Sequence, residues 1–186
     1  PSAAIAVEEL YQCGADTMMR VGTCASVSPK VSIGDIVIPN GAVKMEGVSH
    51  HYLPVEFPSV PDFQMLKAIE QAAINLGLPY DVGVTITKAS FYTQTSPQTK
   101  PVGPELIYKW EAYKKGGASS TSMECAPLFA VGASLGIRTS CVMASATNYE
   151  SGKVKEGSEK VNVEDRAIRT AIEAMKIIIR EDQKGE

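Results

Sequence analysis

Four short segments carry side chains able to do chemistry. The first is Arg20-Val21-Gly22-Thr23, followed by Cys24-Ala25-Ser26. At the end of a short strand, a guanidinium supplies a forked, permanently charged set of donors. Thr23 adds a hydroxyl, and a glycine turn adds backbone N–H groups, so the set suits an oxyanion. In open α/β sheets such sites gather at the carboxyl ends of strands. The second is Ser122-Met123-Glu124-Cys125-Ala126. A carboxylate at a helix start is favoured by the helix dipole and can accept two hydrogen bonds from a vicinal diol such as that of ribose. Met123 beside it gives a soft apolar wall. The third is the stretch Phe91-Tyr92-Thr93-Gln94. A ring there can stack on a flat base, and an amide offers both a donor and an acceptor to a pyrimidine edge. The fourth, His51 with Glu56, reads as loop packing or a subunit contact and is given no catalytic role. Each segment also has an ordinary reading: a surface arginine before a turn, helix-end electrostatics, a loop anchor. None decides alone.

The elements that must position these groups alternate between helix and strand. Residues 2–13 read as an amphipathic helix with Ser2 as a cap and Gly14 as its left-handed terminator. Residues 17–21 read as a short buried strand ending at Gly22-Thr23. After the Gly34-Asp35 turn, the run Ile36-Val37-Ile38 and the stretch 42–49 read as two strands pairing with each other. Asp62 caps a helix over 63–76 closed by Gly77. A strand follows over 82–87, then a polar loop holding Phe91 and Gln94, then a helix over 104–115. Glu124 opens another helix, with Pro127 tolerated in its first turn. Gly136 ends that helix, a strand spans 139–146, and a long amphipathic helix spans 163–181. The fold class expected is α/β: a single domain over residues 1–186, with a mixed central sheet flanked by helices.

Composition narrows the function classes. The chain has 186 residues, 44% hydrophobic and 21% charged, with a net charge of -3. That balance lacks the basic field that draws a protein to nucleic acid or an anionic membrane. No apolar run approaches the roughly 20 residues a membrane helix needs, and no secretory signal opens the chain. Cys13, Cys24, Cys125 and Cys141 form no CxxC pair and no zinc-like spacing with His50 and His51. They read as reduced buried thiols of a cytoplasmic protein, with no metal site.

Taken in order, the segments resemble one family. Pro1-Ser2-Ala3-Ala4-Ile5-Ala6-Val7-Glu8-Glu9-Leu10 is similar to the stretch after a Gly-Gly pair in nucleoside phosphorylases of the uridine phosphorylase type. Arg20-Val21-Gly22-Thr23 resembles their phosphate-binding turn. Gly34-Asp35-Ile36-Val37 and Val55-Glu56-Phe57-Pro58 recur at the same relative places. Phe91-Tyr92 with Gln94 resembles the base-binding loop, and Ser122-Met123-Glu124 falls on the Glu-Met-Glu ribose motif. The resemblance runs end to end.

It implies phosphorolysis: a uridine-like pyrimidine nucleoside and inorganic phosphate give the free base and ribose 1-phosphate. By carry-over, Arg20, Gly22 and Thr23 bind phosphate, Met123 and Glu124 bind ribose, and Phe91 and Gln94 face the base. Arg20 and Glu124 are the catalytic pair. The resemblance implies no metal or organic cofactor, phosphate being a co-substrate, and neither nucleic acid nor membrane as a partner. It also implies a homo-oligomer, a hexamer built from dimers. Purine-specific relatives place an aspartate after the strand matching 139–146, where this chain reads Ser145-Ala146-Thr147-Asn148-Tyr149. Related nucleosidases do without the phosphate arginine, so Arg20 favours phosphate over water.

Several positions depart from the family. Ser122 replaces the first acid of the ribose motif, Thr99 and Tyr149 stand where base-side arginines are expected, and Ala25-Ser26 replaces a glycine-rich turn. The family also carries an N-terminal segment ahead of the residue matching Pro1, with early strands, a phosphate loop and another arginine. Relative to the family, the chain is expected to be N-terminally incomplete. These departures sustain an alternative expectation, a non-catalytic nucleoside-binding or storage and assembly module of the same fold.

Overall fold

The computed structural model describes residues 1–150, 153–154 and 162–185. Helix α1 (Ser2–Gln12) ends at Gly14, whose φ of 93° takes the left-handed conformation, and strand β1 (Thr17–Ser26) follows. Pro1, rather than Ser2, occupies the cap position of α1, and no side chain caps it. Next come β2 (Ile36–Met45), a single 3₁₀ turn over Val48–His51, α2 (Phe63–Asn75) and β3 (Tyr80–Lys88). The short helix α3 (Phe91–Thr95) and the turn Pro97–Thr99 lead to α4 (Gly103–Lys115). The three-residue β4 (Ser120–Ser122), α5 (Cys125–Leu135), β5 (Arg138–Asn148), the two-residue β6 (Lys153–Val154) and α6 (Val163–Gly185) complete the chain.

The expected mixed α/β architecture is present, and the sheet closes on itself. β1 runs parallel to β5 and antiparallel to β4. β4 runs parallel to β3, β3 parallel to β2, and β2 antiparallel to β5, so five strands form a ring. β6 extends β5 at its end.

Three readings need correction. Residues 36–49 form no hairpin. β2 is one strand whose register with β3 shifts between Pro39 and Gly41, and Ala42 N–H donates instead to Ser59 O at 2.8 Å. A proline cannot supply a ladder donor, so the strand bulges there and continues. Gly22-Thr23 is not a turn: both residues lie inside β1, opposite Met143 and Ala144 of β5. The stretch 91–95 is a helical turn and not an open loop.

Two apolar layers hold the ring. On one side, α2 and α6 pack Met65, Ile69, Ala167, Ala174 and Ile178 against Ile36, Ile38 and Val142. The Asp62 carboxylate accepts Met65 N–H at 2.9 Å and starts α2 as expected. On the other side, α1 and α5 pack Val7, Leu128, Phe129 and Val131 against Val37, Cys141 and Met143. Fully burying a side chain the size of Phe129 contributes about 1.5–3 kcal/mol. α5 is buried from Cys125 to Gly132, on all faces, which fixes its N-terminus firmly. Cys24, Cys125 and Cys141 are buried free thiols as expected, whereas Cys13 is exposed.

Candidate active site

Three elements end at one place. β3 delivers Thr87 and Lys88, β4 delivers Ser122, and Glu124 is the cap residue of α5. The link is direct: Ala126 N–H, in the first turn of α5, donates to Thr87 Oγ1 at 3.1 Å. This bond satisfies one of the donors a helix start leaves open. Ser59 Oγ donates to Ala126 O at 2.8 Å from the other side. Met123 and Glu124 are therefore held by a buried helix and two strands, although both side chains remain partly exposed.

β1 brings its arginine to the same point. Arg20 Nη2 lies 2.8 Å from Glu124 Oε2, and Arg20 Nη1 donates to Cys141 Sγ at 3.7 Å. Burial opposes the Arg20 charge. The Cys141 sulfur and the Glu124 carboxylate outweigh it, and the guanidinium pKa stays above its ordinary value. Glu124 Oε2 also accepts Met123 N–H at 3.1 Å. Gly22 has a specific reason to be glycine. A Cβ there would sit 2.9 Å from Arg20 Cζ, so the guanidinium can lie over residue 22 only because it has no side chain. Strand alternation puts Met19 and Val21 toward α6, Arg20 and Gly22 toward Glu124, and Thr23 on the α6 side.

Two cavities meet at Lys88. One, of 460 Å³, is lined by Met123, Glu124, Glu46, His51, Lys88 and the first residues of α1. The other, of 300 Å³, is lined by Gln94, Thr93, Met45, Trp110, Glu111 and Lys88 among others. Lys88 is 7% exposed, and its ammonium donates to Thr121 Oγ1 at 3.0 Å and to Ser122 O at 3.5 Å. Burial lowers its pKa to about 8, with Glu124 opposing the shift.

The residues singled out in the sequence fall into groups. Arg20, Gly22, Met123 and Glu124 come together, and Gln94 lines the adjoining cavity. Phe91 is half exposed, stacks edge-on against Tyr92 at 5.7 Å between centroids, and lines neither cavity. His51 reaches the larger cavity, while Glu56 lines neither. His51 is placed by Glu46, whose buried carboxylate accepts Val48 N–H at 2.6 Å and both Ser49 N–H and Ser49 Oγ, fastening the 3₁₀ turn. Lys88 was missed from sequence. Its signal was a lone lysine ending the apolar, alternating strand 82–87, where a charge is expensive unless it is used. Among the described residues, no group of three or more His, Cys, Asp or Glu side chains could hold a metal ion. No described helix is long and apolar enough to cross a membrane.

The closed mixed sheet thus gathers an arginine, a carboxylate at the start of α5 and two adjoining cavities. Residues 1–180 match the family model of the phosphorylase superfamily, and the chain belongs to that family. It is 41% identical over 184 residues to a uridine phosphorylase of Treponema pallidum, covering 98% of this chain and 70% of that protein. To a uridine phosphorylase of Thermococcus kodakarensis it is 35% identical over 188 residues, covering 100% of this chain and 66% of that protein. A guanosine phosphorylase of Halorubrum lacusprofundi is 33% identical over 183 residues, covering 94% of this chain and 71% of the relative. The chain thus spans about two thirds of the length of these relatives, rising to 71% for the last.

Proposed function

We propose that the chain is a pentosyltransferase acting as a nucleoside phosphorylase. It transfers ribose from a uridine-like pyrimidine nucleoside to inorganic phosphate, releasing the base and ribose 1-phosphate. The likeness to uridine phosphorylases at up to 41% identity supports this over a non-catalytic module. The observation that carries the reading in the molecule itself is the Arg20–Glu124 pair at 2.8 Å beside Met123. It sets an anion-binding fork next to a diol acceptor, so phosphate and sugar can be bound side by side.

The division of labour follows from charge. Arg20, lying over Gly22 in β1, holds phosphate, whereas Thr23, expected to join it, sits on the other face of the strand. Glu124 accepts the ribose hydroxyls, and Met123 lies against the sugar. Phe91 and Gln94 are assigned to the base, Gln94 through the cavity it lines. As the bond from C1′ to the base breaks, the sugar gains positive charge and the base keeps the electron pair. A phosphate oxygen then bonds to C1′. Holding the two reactants in line supplies much of the acceleration, and no group on the protein needs to become covalently attached. The ion pair is partly open to solvent, with 23% and 37% of the two side chains exposed. Entering phosphate can take over the Arg20 charge as the Glu124 carboxylate turns to the sugar hydroxyls, so neither charge is left unpaired.

Phosphate serves as co-substrate, with no further cofactor. The assembly is a homo-oligomer, a hexamer built from dimers, and its location is the cytoplasm. The test supplies uridine and guanosine in turn, with and without phosphate, and identifies both products. Uracil and ribose 1-phosphate formed only with phosphate support the reading. Free ribose formed without phosphate contradicts it, and base release from guanosine alone overturns the pyrimidine assignment.

A further inference from the structure

Lys88 is the one lysine or arginine that lines either cavity among the described residues, and it lines both. It ends β3 beside Ser122, buried, with no carboxylate at ion-pair distance among the described residues. Two of its three ammonium N–H groups face Thr121 Oγ1 and Ser122 O. Thr121 Oγ1 donates its own proton to Ile86 O at 2.9 Å, so it serves Lys88 as an acceptor. One ammonium donor is left over. A buried cation whose nearest carboxylate, Glu124, is paired with Arg20 and acts on it only from a distance is costly unless further negative charge arrives. In the smaller cavity, Gln94 Oε1 is likewise buried without a partner, and Trp110 and Met45 supply apolar lining. Thr99 and Tyr149, the positions where base-side arginines are expected, line neither cavity.

We propose that Lys88 is the cationic donor for the departing base, contacting a carbonyl oxygen of the pyrimidine while Gln94 accepts from a ring N–H. This rests on the phosphorolysis reading above. In the step, phosphate oxygen bonds to C1′ as the C1′–N1 bond breaks. The electron pair stays on the base and spreads to its carbonyl oxygens, where the Lys88 ammonium meets it. A proton passing to the base is replaced on Lys88 from solvent. The placement differs from a loop-borne arginine: a strand end fixes the donor, and Ser122 leaves room for it where an acid would neutralise it.

The test is the pH dependence of kcat with uridine and saturating phosphate, for the natural chain, Lys88→Gln and Lys88→Arg. The natural chain loses activity as pH rises past about 8. Lys88→Gln lowers kcat about 100-fold, in line with loss of one preorganised donor, and removes that limb. Lys88→Arg restores most activity and moves the limb upward. The KM for phosphate changes little, and the Lys88→Gln deficit shrinks with 5-fluorouridine, whose base leaves more readily. A merely structural lysine would give equal deficits with both substrates and an unchanged pH limb, and that result overturns the assignment. A second readout needs no turnover: uracil shields Lys88 of the natural chain from an amine-acylating reagent, mapped by mass spectrometry. Lys88 acylated equally with and without uracil also overturns the proposal. Absence of turnover in the natural chain counts against phosphorolysis, and the shielding result then judges Lys88 separately.

Discussion

At the scale of residues, the site is a contest over buried charge. The permanently charged Arg20 has its burial offset by a carboxylate and a sulfur that face it. Lys88 has only neutral groups in hydrogen-bond contact, with Glu124 helping from a distance, and burial lowers its pKa from 10.5 to about 8. That difference has a measurable consequence. Between pH 8 and 10.5 the folded chain releases the Lys88 proton while the unfolded chain still holds it. The unfolded state binds more protons in that window, so this group's contribution makes stability rise with pH. A shift of this size corresponds to roughly 3 kcal/mol as an upper bound. Lys88→Met is therefore expected to be more stable than the natural chain at pH 7, with the advantage fading by pH 10. Urea unfolding at the two pH values checks this, and a destabilised variant at pH 7 would contradict it. Arg20, Met123 and Glu124 were legible in the sequence because their types cluster around glycine and a helix start. Lys88 was not, because its meaning depends on burial, and burial here comes from Thr121 and Ser122, more than thirty residues away.

At the scale of elements, α5 is the part that sets the site, and its packing is tight. A Cβ on Gly132 would lie 2.4 Å from both Cγ2 and Oγ1 of Thr139 on β5. Alanine in a helix gains about 1 kcal/mol over glycine, but forcing a methyl into a filled interface costs about 1–3 kcal/mol. The clash is expected to win: Gly132→Ala lowers the urea midpoint, and adding Thr139→Ala recovers part of the loss. Equal stability of Gly132→Ala and the natural chain would show that the helix shifts freely. The helices were readable from their punctuation, as with Asp62 before α2 and Gly136, at φ 69°, after α5. Strands were harder. Ser120-Thr121-Ser122 has no apolar alternation, yet it forms β4 because β1 and β3 flank it. The break between the run 36–38 and the stretch beginning at Ala42 is a bulge, since parallel pairing with β3 carries β2 through it.

At the scale of the whole molecule, closure of the sheet brings residues 20, 88 and 124 to one place. No local pattern announces it, because ring closure depends on the pairing of β1 with both β4 and β5. The family resemblance, by contrast, was legible end to end, since the ordered set of motifs survives where single residues depart. The proposed hexamer belongs to this scale as well. Light scattering is expected to return six times the 19.9 kDa chain mass, and a monomer would contradict the assembly. Arg20 and Glu124 are proposed to bring phosphate and ribose together, and steady-state kinetics of uracil release test this. With uridine and phosphate varied in turn, Arg20→Ala is expected to lower kcat/KM for phosphate at least 100-fold, and Glu124→Ala to lower kcat/KM for uridine on a similar scale. Uracil release by Arg20→Ala with an unchanged dependence on phosphate would contradict the account.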